Sequence, residues 1–397
     1  MKILYDHQAF EMQNFGGISR YFCELITQLD SNPAASVEVA IQYSKNEYLK
    51  VTRFGLKARE NPDSYEKFME GREFRGKWSL HAARNKFRKP INAEAVNKKV
   101  AIAALQRQDF DVFHPTYYDD YFLPFIGNKP FVLTVHDMIH EIYPEYFNLA
   151  DRTSDRKRRL AQKADKILAV SEWTKKDLVQ FFDIPAEKVE VIHLANSMGI
   201  AVAPPIRPFA LPMRYVLFVG SRTVYKNFFF FINSMRALLA ADLELQIICA
   251  GAEFNKNEHM FFEIQGLADR VHHRAASDIE LQLLYQQAQV FVFPSLYEGF
   301  GLPVLEAFSC GCPTVLGNAG SLPEIGGNGA LYFEPKDAQS LHAAMSQALY
   351  NQPLRAELVA RGRRRLALFG WDRTCRGTEA AYRDLLVRTN SPARQVG

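Results

Sequence analysis

Residues 201–212 read AVAPPIRPFALP, with four prolines in twelve positions. Proline fixes φ and donates no backbone hydrogen bond, so such a run suits neither a helix interior nor an inner strand. On both sides of it, short runs rich in Val, Ile and Phe alternate with helical patterns, as in parallel sheets built from βαβ units. Before the break the runs fall at 2–5, 37–42, 112–114, 131–135, 166–170 and 189–193. After it they fall at 215–220, 245–250, 271–273, 290–294 and 313–316. The break therefore reads as a linker at 204–212 between an N-terminal domain at 1–203 and a second domain at 213–372. The expected fold is α/β: two doubly wound, Rossmann-like domains in tandem.

A chain of 397 residues fits two domains, each large enough for its own core. Apolar residues make up 48% and charged residues 23%, an ordinary globular balance. The net charge of +4 points to no nucleic-acid partner. No apolar stretch reaches the ~20 residues of a spanning helix. The opening MKILYDHQAF turns polar too soon for a secretory signal and reads as a first strand. The five cysteines lack CxxC spacing and mostly sit in apolar runs, so buried thiols and a cytoplasmic location are expected. Residues 53–99 stand apart. They hold thirteen Lys/Arg against six Asp/Glu, interleaved with Phe54, Phe68, Phe74, Trp78 and Phe87. This is either a solvated helical insertion or a basic, aromatic surface for anionic membrane.

Open α/β sheets bind ligands beyond the carboxyl ends of their strands. The residues that follow each run are polar or glycine-rich. Gly16-Gly17 opens a helix after the first, where backbone N–H groups can approach an anion. His136-Asp137 follows the run at 131–135, and Ser171-Glu172 the run at 166–170. Arg222 and Lys226, four apart after the run at 215–220, suit a diphosphate leaving group. Asp109 and Asp111 form a DxD at the wrong end of a strand for a ligand. Asp119-Asp120 lies after a strand, at the correct end, but one acidic pair is weak evidence for a metal. If the polar edges of the two sheets face each other, they enclose a cleft.

The stretch YEGFGLPVLEAF at 297–308 carries the most chemistry. Pro303 suits the first turn of a helix. Gly299 and Gly301 leave the preceding N–H groups uncovered, making an anion and hydroxyl site. Side chains lean toward the N-terminus of their helix, so Glu306 tilts to the same mouth as Glu298. Both carboxylates can accept hydrogen bonds from paired hydroxyls of a sugar or ribose.

SLYEGFGLPVLEAFSCGCPTV resembles the E-x7-E signature of retaining GT-B glycosyltransferases of family four (group 1). GGISRYF, LTVHDMIHEIYPEYF, FVGSRTVYKN, IELQLLYQQAQVFVFPS and GSLPEIGGNGALYFEP extend the likeness over most of the chain. The HDMIHEIYPEYF form is most similar to bacterial mannosyl- and rhamnosyltransferases. The resemblance implies that Glu306 holds the ribose hydroxyls and Glu298 those of the donor sugar. Backbone groups of Gly299, Phe300, Gly301 and Leu302 would touch sugar or phosphate. Arg222 and Lys226 would bind the diphosphate with Gly16 and Gly17, without metal or other cofactor. His136 would face the reacting carbon, with Asp137 toward the acceptor. A last helix at 373–390 would cross back to the first domain, leaving a tail at 391–397. Tyr225 departs from the family pattern, where Glu or Pro is usual.

The function expected is retaining transfer of a hexose, mannose from GDP-mannose, to a lipid-linked glycan of bacterial surface polysaccharide (O-antigen, lipopolysaccharide or capsule). Other donors (GDP-rhamnose, UDP-glucose, dTDP-rhamnose), a nucleotide-sugar 2-epimerase, and a catalytically silent binding subunit are the alternatives.

Overall fold

The computed structural model describes residues 1–65, 67–69, 71–72, 74–87, 90–198 and 211–389. The linker expected at 204–212, apart from residues 211–212, and the tail at 391–397 lie outside these.

The first half contains strands β1 (Lys2–Tyr5), β2 (Ser36–Val39), β3 (Val112–His114), β4 (Val132–Val135), β5 (Lys166–Ala169) and β6 (Val189–Val191). They pair in parallel as β2-β1-β3 and β4-β5-β6, with Ile3 opposite both Val37 and Val112 and Leu133 opposite Ile167. A parallel bridge between Phe113 and Phe131 joins the two sets at β3 and β4. The second half adds β7 (Arg214–Val219), β8 (Leu245–Ala250), β9 (Val271–Arg274), β10 (Val290–Phe293), β11 (Thr314–Gly317) and β12 (Leu331–Phe333). These form one parallel sheet in the order β12-β11-β10-β7-β8-β9. Every residue of β4 and β10 is buried, which explains why they read as unbroken apolar runs rather than alternating ones.

The strand order reverses between β1 and β3 in the first half and between β7 and β10 in the second. A doubly wound sheet opens its ligand crevice at such switch points. The loops after β1, β3, β7 and β10 are thus the ones the topology assigns to a site. Helices cover the faces for a simple reason. In the Gly17–Asp30 helix, Tyr21, Phe22, Leu25, Ile26 and Leu29 recur at the spacing that puts them on one face, and all five are buried.

The C-terminal helix, Trp371–Thr389, returns to the first half. Its Tyr382 hydroxyl lies 2.8 Å from that of Tyr5 and 2.5 Å from His114 Nδ1, while Thr374 donates to the His193 carbonyl at 2.8 Å. Strand β12 was not anticipated. Its Leu-Tyr-Phe follows the glycine-rich stretch at 326–329, which reads as a turn. Among the described residues, no helix is long and apolar enough to cross a membrane.

Candidate active site

Two side chains meet at the switch point of the second sheet. Lys226 ends the loop after β7, Glu298 lies in the loop after β10, and Lys226 Nζ donates to Glu298 Oε1 at 2.6 Å. Ser295 Oγ, fully buried, donates to the same oxygen at 2.6 Å. Burial works against the charge on Lys226, yet the Glu298 carboxylate and Tyr225 hold its pKa above the usual lysine value. The loops are tied as well as the side chains, since Leu296 N–H donates to the Tyr225 carbonyl at 2.7 Å. Tyr225, the departure from the family pattern, thereby fits the loop through its backbone.

The two glycines beside Glu298 are required for different reasons. Gly301 caps the Leu302–Ser309 helix with φ 106°, a left-handed conformation that favours glycine. Gly299 is pressed against the other half of the molecule. A Cβ there would overlap the His136 carbonyl oxygen and come within 2.8 Å of its carbon. Its own carbonyl accepts from Ser171 Oγ at 2.7 Å and Thr174 Oγ1 at 3.1 Å. Gly299 therefore serves close approach between the halves, rather than only baring an N–H group. Phe300 is buried beside Phe369 and His193. Leu302 faces the glycine pair of the first half, with its Cδ1 3.4 Å from where a Cβ on Gly17 would stand. Gly16 caps the Gly17–Asp30 helix, so two helix N-termini converge on this gap.

Glu306 lies one turn into its helix and accepts from the Tyr285 hydroxyl at 3.0 Å. Burial raises its pKa, and Arg20 works in the opposite direction. Arg20 comes from the first half, pairs with Asp278 of the second at 3.3 Å, and lies over the Tyr48 ring. Neither Arg20 nor Tyr285 was singled out from the sequence. One is three residues past a glycine pair, the other sits mid-helix, and only the fold brings them to Glu306.

His136 is buried, and its Nε2 has no hydrogen-bond partner among the described residues. Burial depresses its pKa to about 4, so the imidazole is neutral at pH 7. The backbone N–H of His136 donates to the Tyr118 hydroxyl at 3.1 Å. Behind the loop stands Lys157, fully buried, donating to the Asp137 carbonyl at 2.9 Å and to Glu141 at 2.8 Å. The Asp137 carboxylate accepts from Ile139 N–H at 3.1 Å and lies 3.9 Å from Lys157 Nζ.

Arg222 departs from expectation. Its guanidinium forks onto Glu258 at 2.5 and 3.2 Å and donates to the carbonyls of Ala252 and Glu253 at 2.8 and 2.7 Å. It also packs against the Phe254 ring at 4.9 Å. All of these partners belong to the loop after β8 and its helix, so Arg222 braces two loops rather than standing beside Lys226 as a free cation. Asp119 and Asp120 are likewise taken up, by Lys98 at 3.0 Å and Arg159 at 2.8 Å. Asp111 accepts from the Lys2 N–H at 2.7 Å, at the far end of its strand from the crevice.

The sequence model described as Glycosyltransferase Family 4 matches residues 15–195, and the one described as Glycosyl transferases group 1 matches residues 205–365. O-antigen chain mannosyltransferase B of Escherichia coli is 28% identical over 314 residues, 75% of this chain and 81% of its own length. A sucrose-phosphate synthase from Thermosynechococcus elongatus has the same fold, with a TM-score of 0.71 at 20% identity, covering 98% of this chain and 99% of that one. Anabaena HepE, solved with UDP and glucose, gives 0.70 at 17% identity, covering 97% and 100%. The fold and these matches define a glycosyltransferase of GT-B architecture. The chain belongs to the group 1, family four glycosyltransferases.

Proposed function

We propose that this enzyme moves mannose from GDP-mannose to a hydroxyl of a lipid-linked glycan during assembly of a bacterial surface polysaccharide, with retention at the anomeric carbon. The observation that carries the reading is the Lys226–Glu298 pair at the switch point, flanked by two helix N-termini. It sets a cation where a diphosphate would lie and an acceptor of hydroxyl protons beside it. Mannose is favoured by the O-antigen mannosyltransferase among the relatives.

In this account Lys226 leaves Glu298 for the donor diphosphate and stabilises the charge that grows on the departing nucleotide. Gly16 and Gly17 add backbone N–H groups from the other half. Glu298 then accepts from sugar hydroxyls, and the backbone at Gly299, Phe300, Gly301 and Leu302 lines the sugar and phosphate. Glu306, steadied by Tyr285, takes the ribose hydroxyls. Neutral His136 faces the reacting carbon, with Asp137 toward the acceptor. Arg222 supports the loop carrying Lys226 and reaches a phosphate only by releasing Glu258. The reading calls for no metal, because Lys226 and the amide groups supply the positive field. Closure of the halves aligns donor and acceptor and excludes water. The work would take place at the cytoplasmic face of the membrane, with residues 53–99 against anionic lipid.

The test is GDP release from GDP-mannose with and without a mannose-terminated lipid acceptor. Release that depends on acceptor supports the proposal. Isomerisation of the donor without acceptor would indicate an epimerase, and no turnover at all a binding subunit.

A further inference from the structure

The Glu172–Phe182 helix carries a polar stripe on a buried face. Ser171, its N-cap, is followed at intervals of three by Thr174 and Asp177, and the three are 0%, 0% and 5% exposed. A buried polar group costs free energy unless it is hydrogen-bonded. Here each one finds its partner in a loop of the other half of the molecule. Ser171 and Thr174 donate to the Gly299 carbonyl. Asp177 Oδ2 accepts from the Tyr297 hydroxyl at 2.7 Å.

Tyr297 is itself buried, and its hydroxyl makes a second contact: the backbone N–H of Met138 donates to it at 3.3 Å. One oxygen thus touches two elements. It donates to the helix that follows β5 and accepts from the loop that follows β4. Through its own backbone, Tyr297 adjoins Glu298. Met138 stands two residues past His136, whose carbonyl meets Gly299. Donor-side and acceptor-side loops are thereby referenced to a single hydroxyl, and no apolar contact could do this with the same directionality.

We propose that Tyr297, held by Asp177, is a positioning residue that keeps Glu298 and His136 in register across the crevice. This rests on the glycosyltransfer reading above. Neither side chain reaches substrate; each acts through the loops it joins. A displacement of about 1 Å at reacting groups can cost roughly a hundredfold in rate.

The experiment compares the full-length enzyme with Tyr297→Phe, Asp177→Asn and Asp177→Leu. Two readouts are taken: amide hydrogen exchange at Met138, and kcat with GDP-mannose and a mannose-terminated lipid acceptor alongside the GDP dissociation constant. Tyr297→Phe is expected to speed exchange at Met138 at least tenfold and lower kcat about tenfold to hundredfold, with GDP affinity within twofold of wild type. Asp177→Asn keeps an acceptor oxygen and should retain most of the rate, whereas Asp177→Leu should not. Unchanged exchange at Met138, or full kcat in Tyr297→Phe, overturns the proposal. So does a parallel loss of kcat and GDP affinity, the mark of general damage to the fold. If wild type shows no acceptor-dependent turnover, the glycosyltransfer reading fails, and the exchange data still decide the tie.

Discussion

Gly299 and His136 come from opposite halves of the molecule and touch backbone to backbone, with no room for a side chain between them. The loop bearing Glu298 and the loop bearing His136 therefore form one seam. Ser171 and Thr174 fasten the same seam from the helix side.

Replacing Gly299 with Ala should part that seam. The new methyl meets a main-chain carbonyl, which cannot swing aside as a flexible side chain would. Overpacking of this kind costs about 1–3 kcal/mol. The misplacement should lower kcat by roughly a hundredfold. Thermal unfolding and steady-state rates measure the two effects, and a Gly299→Ala enzyme with wild-type rate would show that the seam is slack.

Lys226→Ala removes the cation assigned to the leaving diphosphate. Removing one such stabilising group typically lowers kcat by about a hundredfold or more. It also strands Glu298, which is 10% exposed at the side chain and loses its ion-pair partner. The expected result is a rate at or below about one hundredth of wild type in the nucleotide-release assay. Near-full turnover would remove Lys226 from the reaction.

Stability should fall on mild acidification. Burial depresses the pKa of His136 to about 4 and that of His114 to about 3 in the folded chain. In the unfolded chain both titrate near 6.5. Between those values the unfolded state binds protons that the folded state refuses, so stability rises with pH through this window and is lost as pH drops below about 6.5. By pH 4 the loss is on the order of 3 kcal/mol for each histidine. Denaturant titrations at stepped pH check this. His114→Gln should flatten the dependence, since a neutral amide replaces the group that must otherwise stay unprotonated.

The segment at 53–99 bears on membrane contact. Phe54 and Phe68 turn inward and are buried, which leaves Phe74 at 44% and Trp78 at 69% exposure beside the basic residues. The side chain of Phe87 lies outside the described residues. Liposomes containing anionic lipid should sediment the protein in a salt-sensitive way, and Trp78→Glu should weaken the effect. Equal sedimentation with neutral liposomes would rule out this surface as an anionic-lipid site.

The fold was legible because each strand but β12 was anticipated from an apolar run, and the proline run at 201–212 separates the two series. Glu298, Gly301, Pro303 and Glu306 were legible because a helix start demands particular residue types at fixed offsets. What stayed hidden was set by contacts distant in sequence. Glu258 claims Arg222 from 36 positions away and Asp177 claims Tyr297 from 120. Gly299 reads as a turn glycine until His136 is seen against it. The Ser171, Thr174, Asp177 spacing was present in the sequence, but a polar face at helical intervals ordinarily means solvent.

In the proposed enzyme a nucleotide sugar is gripped in the crevice, with Glu306 on its ribose. The melting temperature of the wild type with GDP-mannose, GDP-rhamnose, UDP-glucose and dTDP-rhamnose, alongside Glu306→Ala, reports on that grip. A ligand at a hundred times its dissociation constant stabilises the folded state by about 2.7 kcal/mol. GDP-mannose should raise the wild-type transition most, and Glu306→Ala, equally folded without ligand, should lose most of that rise. A shift produced only by a uridine or thymidine sugar, or an undiminished shift in Glu306→Ala, would contradict this reading.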